Sequence, residues 1–407
     1  MSDHLLSWLR LARLPGIGPV LIKRLLDALL TPEAILNAHP ASLASIDGIG
    51  THRANQIVTH AAATEKTARD ELNRAQENRI TILTQSDPRY PPALKTIPDP
   101  PILLYARGEL LAADALAIGI VGARQCTLYG REQANRFGHD LANTGFTVIS
   151  GGARGIDTAS HLGALRAKAG GGRTVVVQGC GLLHTYPPEN KDLYDRIVRE
   201  DAGAIISELP LDTPPTRENF PPRNRIIAGM SLGVLVIEAN LRSGSLITAR
   251  LAAADYNREV FALPGRVDSP ASAGTHHLIK SGSAHLIESV EDLLTHLGHV
   301  GEALQQQPPA PPEPQKSPEP PQKSPGIESL GTPSEEPSLF PSTPITLPAP
   351  FTSLQQKILN ALPPNGATID DLLESTRLAP PVLMAELTML QIRGTLTRHP
   401  GNRFARS

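Results

Sequence analysis

The sequence predicts an α/β chain built on a Rossmann-like, doubly wound, mostly parallel sheet, with a small helical domain before it and a winged helix after it. Three observations carry this. Short Val- and Ile-rich runs alternate with amphipathic helical stretches from Ala117 onward, the pattern of a parallel sheet covered on both faces. Two Gly-Ile-Gly turns followed by helical apolar spacing stand near the N-terminus. Beyond a Pro-rich interruption, three short helical patterns are followed by a hairpin pattern.

With 407 residues, 40% of them hydrophobic, the chain is long enough for several domains and at least one large core. We expect a helical helix-hairpin-helix-like (SAM-like) domain over 1–75, the Rossmann-like domain over 80–300, a Pro-rich disordered linker over 303–350 and a winged helix over 351–407. In the sheet domain, the expected strands are 118–121, 146–150, 174–177, 204–207, 232–238 and 259–263. The expected helices are 131–143, 157–168, 246–256 and 275–280. No run is long and apolar enough for a membrane span, and the N-terminus has no secretion pattern. With only Cys126 and Cys180, neither a disulfide framework nor a metal pattern forms. A cytoplasmic setting fits.

The N-terminal repeats are Leu14–Leu26 and Ile46–Val58, each a glycine turn leading into a helix. Such turns expose backbone N–H groups that can hold phosphate, but a helical packing module reads the same way, and both remain open. The linker carries Pro308, Pro309, Pro311, Pro312 and Pro314 with Glu313, Glu319, Glu328, Glu335 and Glu336, too polar to offset its ordering entropy. In the last domain, helices are expected at 354–362, 369–376 and 381–393, with a hairpin turning at Pro400–Asn402. Arg398, His399, Arg403 and Arg406 could face phosphates from its wing. The acidic second helix (Asp370, Asp371, Glu374) favours a protein contact instead.

The formal net charge of −2 argues against a strongly basic domain, so any anion site must be local. In an open parallel sheet, ligands bind beyond the carboxyl ends of the strands. There this chain places Gly122-Ala-Arg124, Ser150-Gly151-Gly152-Ala-Arg154-Gly155-Ile-Asp157, Gln178-Gly-Cys-Gly181 and Ser243-Gly244-Ser245. Glycine lets a backbone approach an anion closely. Neither a dinucleotide fingerprint nor a Walker lysine is present, so repeated phosphates fit better than one nucleotide. The segment Arg217-Glu-Asn-Phe220-Pro-Pro-Arg223-Asn224-Arg225 sets an aromatic among arginines in a chain with 3% aromatics. Single strands are held by backbone charge and by stacking on aromatic faces. Phe220 is either such a platform or a core cap beside two prolines. The expected result is a trough for a flexible polyphosphate chain, with Arg124, Arg154 and Arg225 along it.

Catalytic and metal readings find less support. Asp157, His161 and Ser243 could be drawn as a trio, but Asp157 and His161 at i, i+4 read more simply as a hydrogen-bonded pair on one helix. No Gly-x-Ser-x-Gly elbow occurs, and His276, His277 and His285 lack a metal-ligand context. No catalytic residue, metal or cofactor is expected.

Taken in order, Val121–Arg124, Ser150–Asp157, His161, Phe220–Ile227, Ser243–Arg250 and Pro264-Gly265 resemble the DNA-processing protein A (DprA, also Smf) family. The resemblance spans about Tyr90 to Ile287, and its flanking modules fit the same family. It implies a non-enzymatic homodimer of natural transformation that binds and protects incoming single-stranded DNA, meets single-strand-binding protein and loads the RecA recombinase. It implies a DNA pocket lined by Gly122, Arg124, Ser150, Gly151, Gly152, Arg154, Gly155, Arg217, Phe220, Asn224, Arg225, Ser243, Gly244 and Ser245. In that pocket Arg124 and Arg154 would clamp phosphates and Phe220 would stack. This chain departs from the family in having Gly152 where a leucine is common. The position of Arg217 varies within the family. The alternative function is a nucleotide-processing phosphoribohydrolase on a similar sheet, whose Pro-Gly-Gly-x-Gly-Thr signature is lacking here.

Overall fold

Near-continuous runs of apolar residues give each central strand two apolar faces, and helices cover both. The computed structural model describes residues 2–61, 63–167, 171–298, 353–363, 366–376 and separate positions from 378 to 406. The chain divides into two compact units, residues 1–305 and 306–407.

In the first unit a nine-stranded sheet comprises β1 (Thr81–Thr84), β2 (Leu103–Gly108), β3 (Ala117–Val121), β4 (Thr147–Ser150), β5 (Thr174–Val177), β6 (Gly203–Ser207), β7 (Gly233–Val236), β8 (Glu259–Ala262) and β9 (His285–Leu286). Its order is β1-β2-β6-β5-β4-β3-β7-β8-β9. All pairs are parallel except β1 with β2 and β2 with β6. The six expected strands are present, within two residues at each end. The sequence reading missed β1, β2 and β9, at the two sides of the sheet. The chain leaves β3 in one direction through β4, β5 and β6, then returns to the other side of β3 as β7. That reversal opens a crevice at the carboxyl ends of β3 and β7.

Side-chain parity follows the pleat. Val121, Val234 and Val236 join one core with Ile226 and Ile227 from α11 (Phe220–Met230) and Ala249 from α12 (Ser245–Arg250). Ile118, Ile120, Leu235 and Ile237 face the other core, with Phe137 and Leu141 from α8 (Leu128–Asn143) and Ile156 and Ala159 from α9 (Ile156–Ala164). The helix expected over 246–256 is two pieces: α12, then a wider π-type turn, Leu251–Asp255.

The glycine turns near the N-terminus lead into α2 (Pro19–Leu29) and α5 (Gly50–Ala61), with positive φ at Gly16 and Gly48. Here α1 (Ser2–Ala12) and α6 (Thr64–Glu77) do more than flank the sheet. Trp8, Leu9 and Ala68 share a core with Ile82, Tyr105 and Ile205. Glu71, 5% exposed, pairs with Arg13 at 3.0 Å and accepts the Leu211 N–H at 2.9 Å.

In the second unit, helices Ser353–Ala361 and Ile369–Thr376 and the strands Leu396–His399 and Arg403–Arg406 match the expected elements. A short strand, Ala367–Thr368, pairs with Arg403–Arg406 as a third member. Of the helix expected over 381–393, Leu383, Leu387 and Leu390 are helical and buried beside Ile358, Leu372 and Phe404. The linker, the hairpin turn 400–402 and the side chains of Arg398, His399 and Arg403 lie outside the described residues. Arg406 donates to the Leu359 carbonyl at 2.5 Å.

Asp157 and His161, expected to bond to each other on α9, turn to different partners. Asp157 Oδ2 accepts the Ala153 N–H at 3.2 Å. His161 Nδ1 meets Thr174 Oγ1 on β5 at 2.7 Å, and its Nε2 is buried with no hydrogen-bond partner among the described residues. Once α9 is seated on the sheet, burial against β5 outweighs the pairing within the helix. Burial pushes the Asp157 carboxyl up to about 6, although Arg223 and backbone N–H groups pull it down. Burial drops His161 to about 3, and Arg223 adds to that.

These shifts oppose one another. Unfolded Asp and His titrate near about 3.9 and about 6.5. Between about pH 4 and 6, then, the folded chain keeps a proton on Asp157 that the unfolded chain releases, and lacks one on His161 that the unfolded chain binds. Acidification through this window therefore stabilises through Asp157 and destabilises through His161. Relative to the parent, His161→Gln should gain on acidification by on the order of 1 kcal/mol per pH unit, and Asp157→Asn should lose a similar amount. Thermal midpoints across this window measure both, and offsets that do not vary with pH would contradict the assignment. Separately, a Cβ at Gly138 would overlap the Ser160 carbonyl oxygen of α9. Gly138→Ala should cost roughly 1–3 kcal/mol, read as a lower thermal midpoint.

Candidate nucleic-acid interface

The segment Arg217–Arg225, which the sequence reading gave no element, decides the geometry at the crevice. It is a short turn, Arg217–Asn219, followed by α11. Pro221 and Pro222 fall in the first turn of that helix, where backbone N–H groups have no partner inside the helix to lose. Helical spacing then sorts the residues. Phe220, Arg223, Asn224 and Ile227, at i, i+3, i+4 and i+7, line one cleft of about 480 Å³. Arg225, five residues from Phe220, points elsewhere.

The placement of Arg225 corrects the expectation. It is 7% exposed, 3.2 Å from Asp99 and paired with Glu208, so it anchors α11 rather than bordering the cleft. Its inner neighbour Arg223, which the sequence reading did not select, takes the central position. Arg223 is 5% exposed and donates to the carbonyls of Gly151, at 2.5 Å, and Val177. Burial lowers its pKa, and the nearby Asp157 carboxyl works against that. The guanidinium ties α11 to the carboxyl ends of β4 and β5. At Gly151 a Cβ would lie 2.5 Å from it, which explains why that position is glycine. The signal for Arg223 was its i+3 offset from Phe220, legible only once the segment is read as helix.

The rim carries the aromatic. Phe220 is half-buried, with the Tyr186 ring tilted against it at 5.3 Å between centroids and the Arg124 guanidinium over its ring at 5.2 Å. Gly179 makes this possible, since a Cβ there would stand 2.7 Å from the Phe220 ring. Tyr186 was absent from the predicted set, although Tyr186-Pro-Pro-Glu-Asn190 follows a strand end. Arg124 and Arg217 are exposed, and neither has a carboxylate partner among the described residues.

The far wall is the loop after β7. Ser243 and Ser245 lie 2.8 Å apart through their hydroxyls, and Asn224 Nδ2 reaches the Gly244 carbonyl at 3.5 Å. The floor is Val121 and Gly122, where a Cβ would strike Ile156 at 2.6 Å. Of the expected set, the structure thus gathers Gly122, Arg124, Arg217, Phe220, Asn224, Ser243, Gly244 and Ser245 around one cleft.

The Ser150 loop behaves differently from that expectation. Ser150 is fully buried and donates to the Ile120 carbonyl at 2.5 Å. Gly151 and Gly152 are buried too, and the Gly152 carbonyl accepts from Asn190 at 2.8 Å and Tyr194 at 3.0 Å. Gly152 has φ +64°, and a Cβ there would overlap the Tyr194 hydroxyl, so no leucine fits beside this tyrosine. From this loop Ala153 and Asp157 reach the cleft, while Arg154 and Gly155 border a neighbouring groove. Arg154 pairs with Glu189 at 2.5 Å, both exposed. The expected trough is therefore a cleft with Arg124 at its edge, Arg154 beyond that edge and Arg225 outside it.

Three arginines, Arg124, Arg217 and the buried Arg223, line this cleft against the single acidic residue Asp157. The combination of a half-buried aromatic at the rim, the exposed guanidiniums of Arg124 and Arg217 and glycine-lined backbone suits a flexible anion with planar groups. Among the described residues no group of His, Cys, Asp or Glu could hold a metal ion, and no helix is long and apolar enough to cross a membrane.

Comparison with known proteins points the same way. The family described as DNA recombination-mediator protein A matches residues 81–298. A DprA winged helix domain matches 341–402, and a SAM-like helix-hairpin-helix tandem matches 9–63. Protein Smf of Synechocystis sp. is 35% identical over 411 residues, covering 98% of each chain. DNA processing protein DprA of Bacillus subtilis is 41% identical over 223 residues, covering 54% of this chain and 73% of its own. The crystal structure of DNA processing protein A from Streptococcus pneumoniae has a TM-score of 0.60 at 31% identity, covering 71% of this chain and 97% of its own. With its sheet domain matched from end to end and a relative alike over nearly its whole length, this chain belongs to the DNA recombination-mediator protein A family.

Proposed function

We propose that the cleft at the carboxyl ends of β3 and β7 binds single-stranded DNA without regard to sequence and without covalent chemistry. The observation that carries this reading is the cluster at the rim, where the tilted Tyr186–Phe220 pair meets the Arg124 guanidinium. A base slides against the aromatic face while its phosphates meet Arg124 and Arg217. Duplex DNA keeps its bases inside and offers the aromatic pair nothing to stack. In the cell, the protein protects incoming single strands during natural transformation and loads RecA onto them as a homodimer, in contact with single-strand-binding protein. Family membership and relatives named DNA processing proteins support that role.

Filter binding of single strand, duplex and free nucleotides at two salt concentrations tests the cleft. Single strand should bind more tightly than duplex, with affinity falling as salt rises. Phe220→Ala should weaken single-strand binding by roughly 1–3 kcal/mol, and Arg124→Ala should make the salt slope shallower by about one. Equal affinity for blunt duplex and single strand, or an unchanged slope in folded Arg124→Ala, would count against the reading. Removing residues 305–407 should leave binding largely intact, because every cleft residue precedes them; loss of binding by this truncated chain would show otherwise.

A further inference from the structure

Arg124 borders two concave surfaces. Besides the cleft, a groove of about 880 Å³ opens along the seam between α8 and α9. Local sequence makes it. A Cβ at Gly138 would overlap the Ser160 carbonyl oxygen, and one at Gly163 would overlap that of Asn135. The helices therefore meet backbone to backbone, and their flanking side chains stand up as walls. Leu128, Arg131, Asn135 and His139 form one wall at helical spacing, with Thr158, Leu162 and Arg166 opposite. Since β3 and β4 run parallel, the seam runs from the sheet's carboxyl edge, at Arg124 and Arg154, toward its amino edge, near Arg166.

Its charge differs from that of the chain as a whole. Arg124, Arg131, Arg136, Arg154 and Arg166 line it against Glu132, Asp140 and Glu189. Of those carboxylates, Asp140 meets His139 at 2.9 Å and Glu189 meets Arg154 at 2.5 Å. Arg131 and Arg166 have no carboxylate partner among the described residues. Between them Leu162 is 39% exposed, and Leu128 is 60% exposed near the mouth. Cations spaced along a groove with apolar surface between them match a single strand's alternation of phosphate and base.

We propose that this seam is a second segment of the single-strand path. A strand leaving the cleft crosses Arg124 and Arg154 and continues down the groove. Its phosphates lie on Arg131 and Arg166 and its bases lie against Leu162. At the junction a phosphate takes the place of Glu189 on Arg154. The inference rests on the reading that the cleft holds single strand, and it adds direction and length to it.

The test uses the full chain and oligothymidines of roughly six and roughly thirty residues, one short enough for the cleft alone and one long enough for both segments. The double variant Arg131→Glu, Arg166→Glu should bind the short strand within about twofold of the parent. It should bind the long one about tenfold or more weakly, with a salt slope shallower by about two. A photo-crosslinker on Leu162→Cys should label the long strand and spare the short one. A folded double variant with parental affinity for the long strand overturns the groove while leaving the cleft standing, as does absence of labelling. A parent that binds neither length refutes the cleft, and the groove falls with it.

Discussion

The buried guanidinium of Arg223 holds two strand ends and a helix in one arrangement. It occupies a space that only glycine at position 151 leaves open, and it bonds the carbonyls that end β4 and β5. A charged group so deeply placed is costly unless its donors are filled. Two carbonyl acceptors on Nη1 and the nearby Asp157 carboxyl offset part of that cost, while Nε has no hydrogen-bond partner among the described residues. Because α11 is fixed at Arg223, the residue one turn before it, Phe220, is fixed at the mouth of the cleft. On the opposite flank of the same helix, Arg225 locks to Asp99 and Glu208. The rim can then be exposed without being loose. Its aromatic platform stands on a helix gripped from both sides, the kind of preorganisation that lowers the ordering cost of binding.

Much of the fold was legible. The central strands are near-continuous runs of Val, Ile and Ala, and parity along them needs no tertiary information. The strands that were missed are instructive. The segment Thr81–Thr84 is short and half polar, β9 has two exposed residues, and β2 sits in a stretch bounded by Pro100-Pro101 and Gly108. Each owes its pairing to a neighbour already in place, so nothing local announces it.

At the site, the glycine and arginine clusters named the right edge of the sheet but not the direction of individual side chains. With no element assigned to Arg217–Arg225, the expectation sets Arg225 beside Phe220 and leaves Arg223 out of the pocket. Two consecutive prolines argue against a helix interior, yet they are well suited to its first turn. The Ser150 loop is a different case. Its polar, glycine-rich sequence looks like an anion cradle, whereas its hydrogen bonds run inward to Ile120, Asn190 and Tyr194. Composition alone does not separate a loop that grips a ligand from one that grips its own scaffold.

The N-terminal helices carry a consequence of another kind. Trp8, Leu9 and Ala68 complete a core whose other half is the β1–β2–β6 side of the sheet, and Glu71 is bolted to Arg13 and to the backbone at Leu211. Sequence comparison bounds the tandem at residues 9–63, whose helices have a core of their own, and Trp8, Ala68 and Glu71 stand just outside those bounds. Helices α1 and α6, which bracket the tandem, cannot be exchanged along with it as one detachable bead. A graft that took those two helices away would strip the lid from an apolar surface, whereas the tandem between them keeps its own interior.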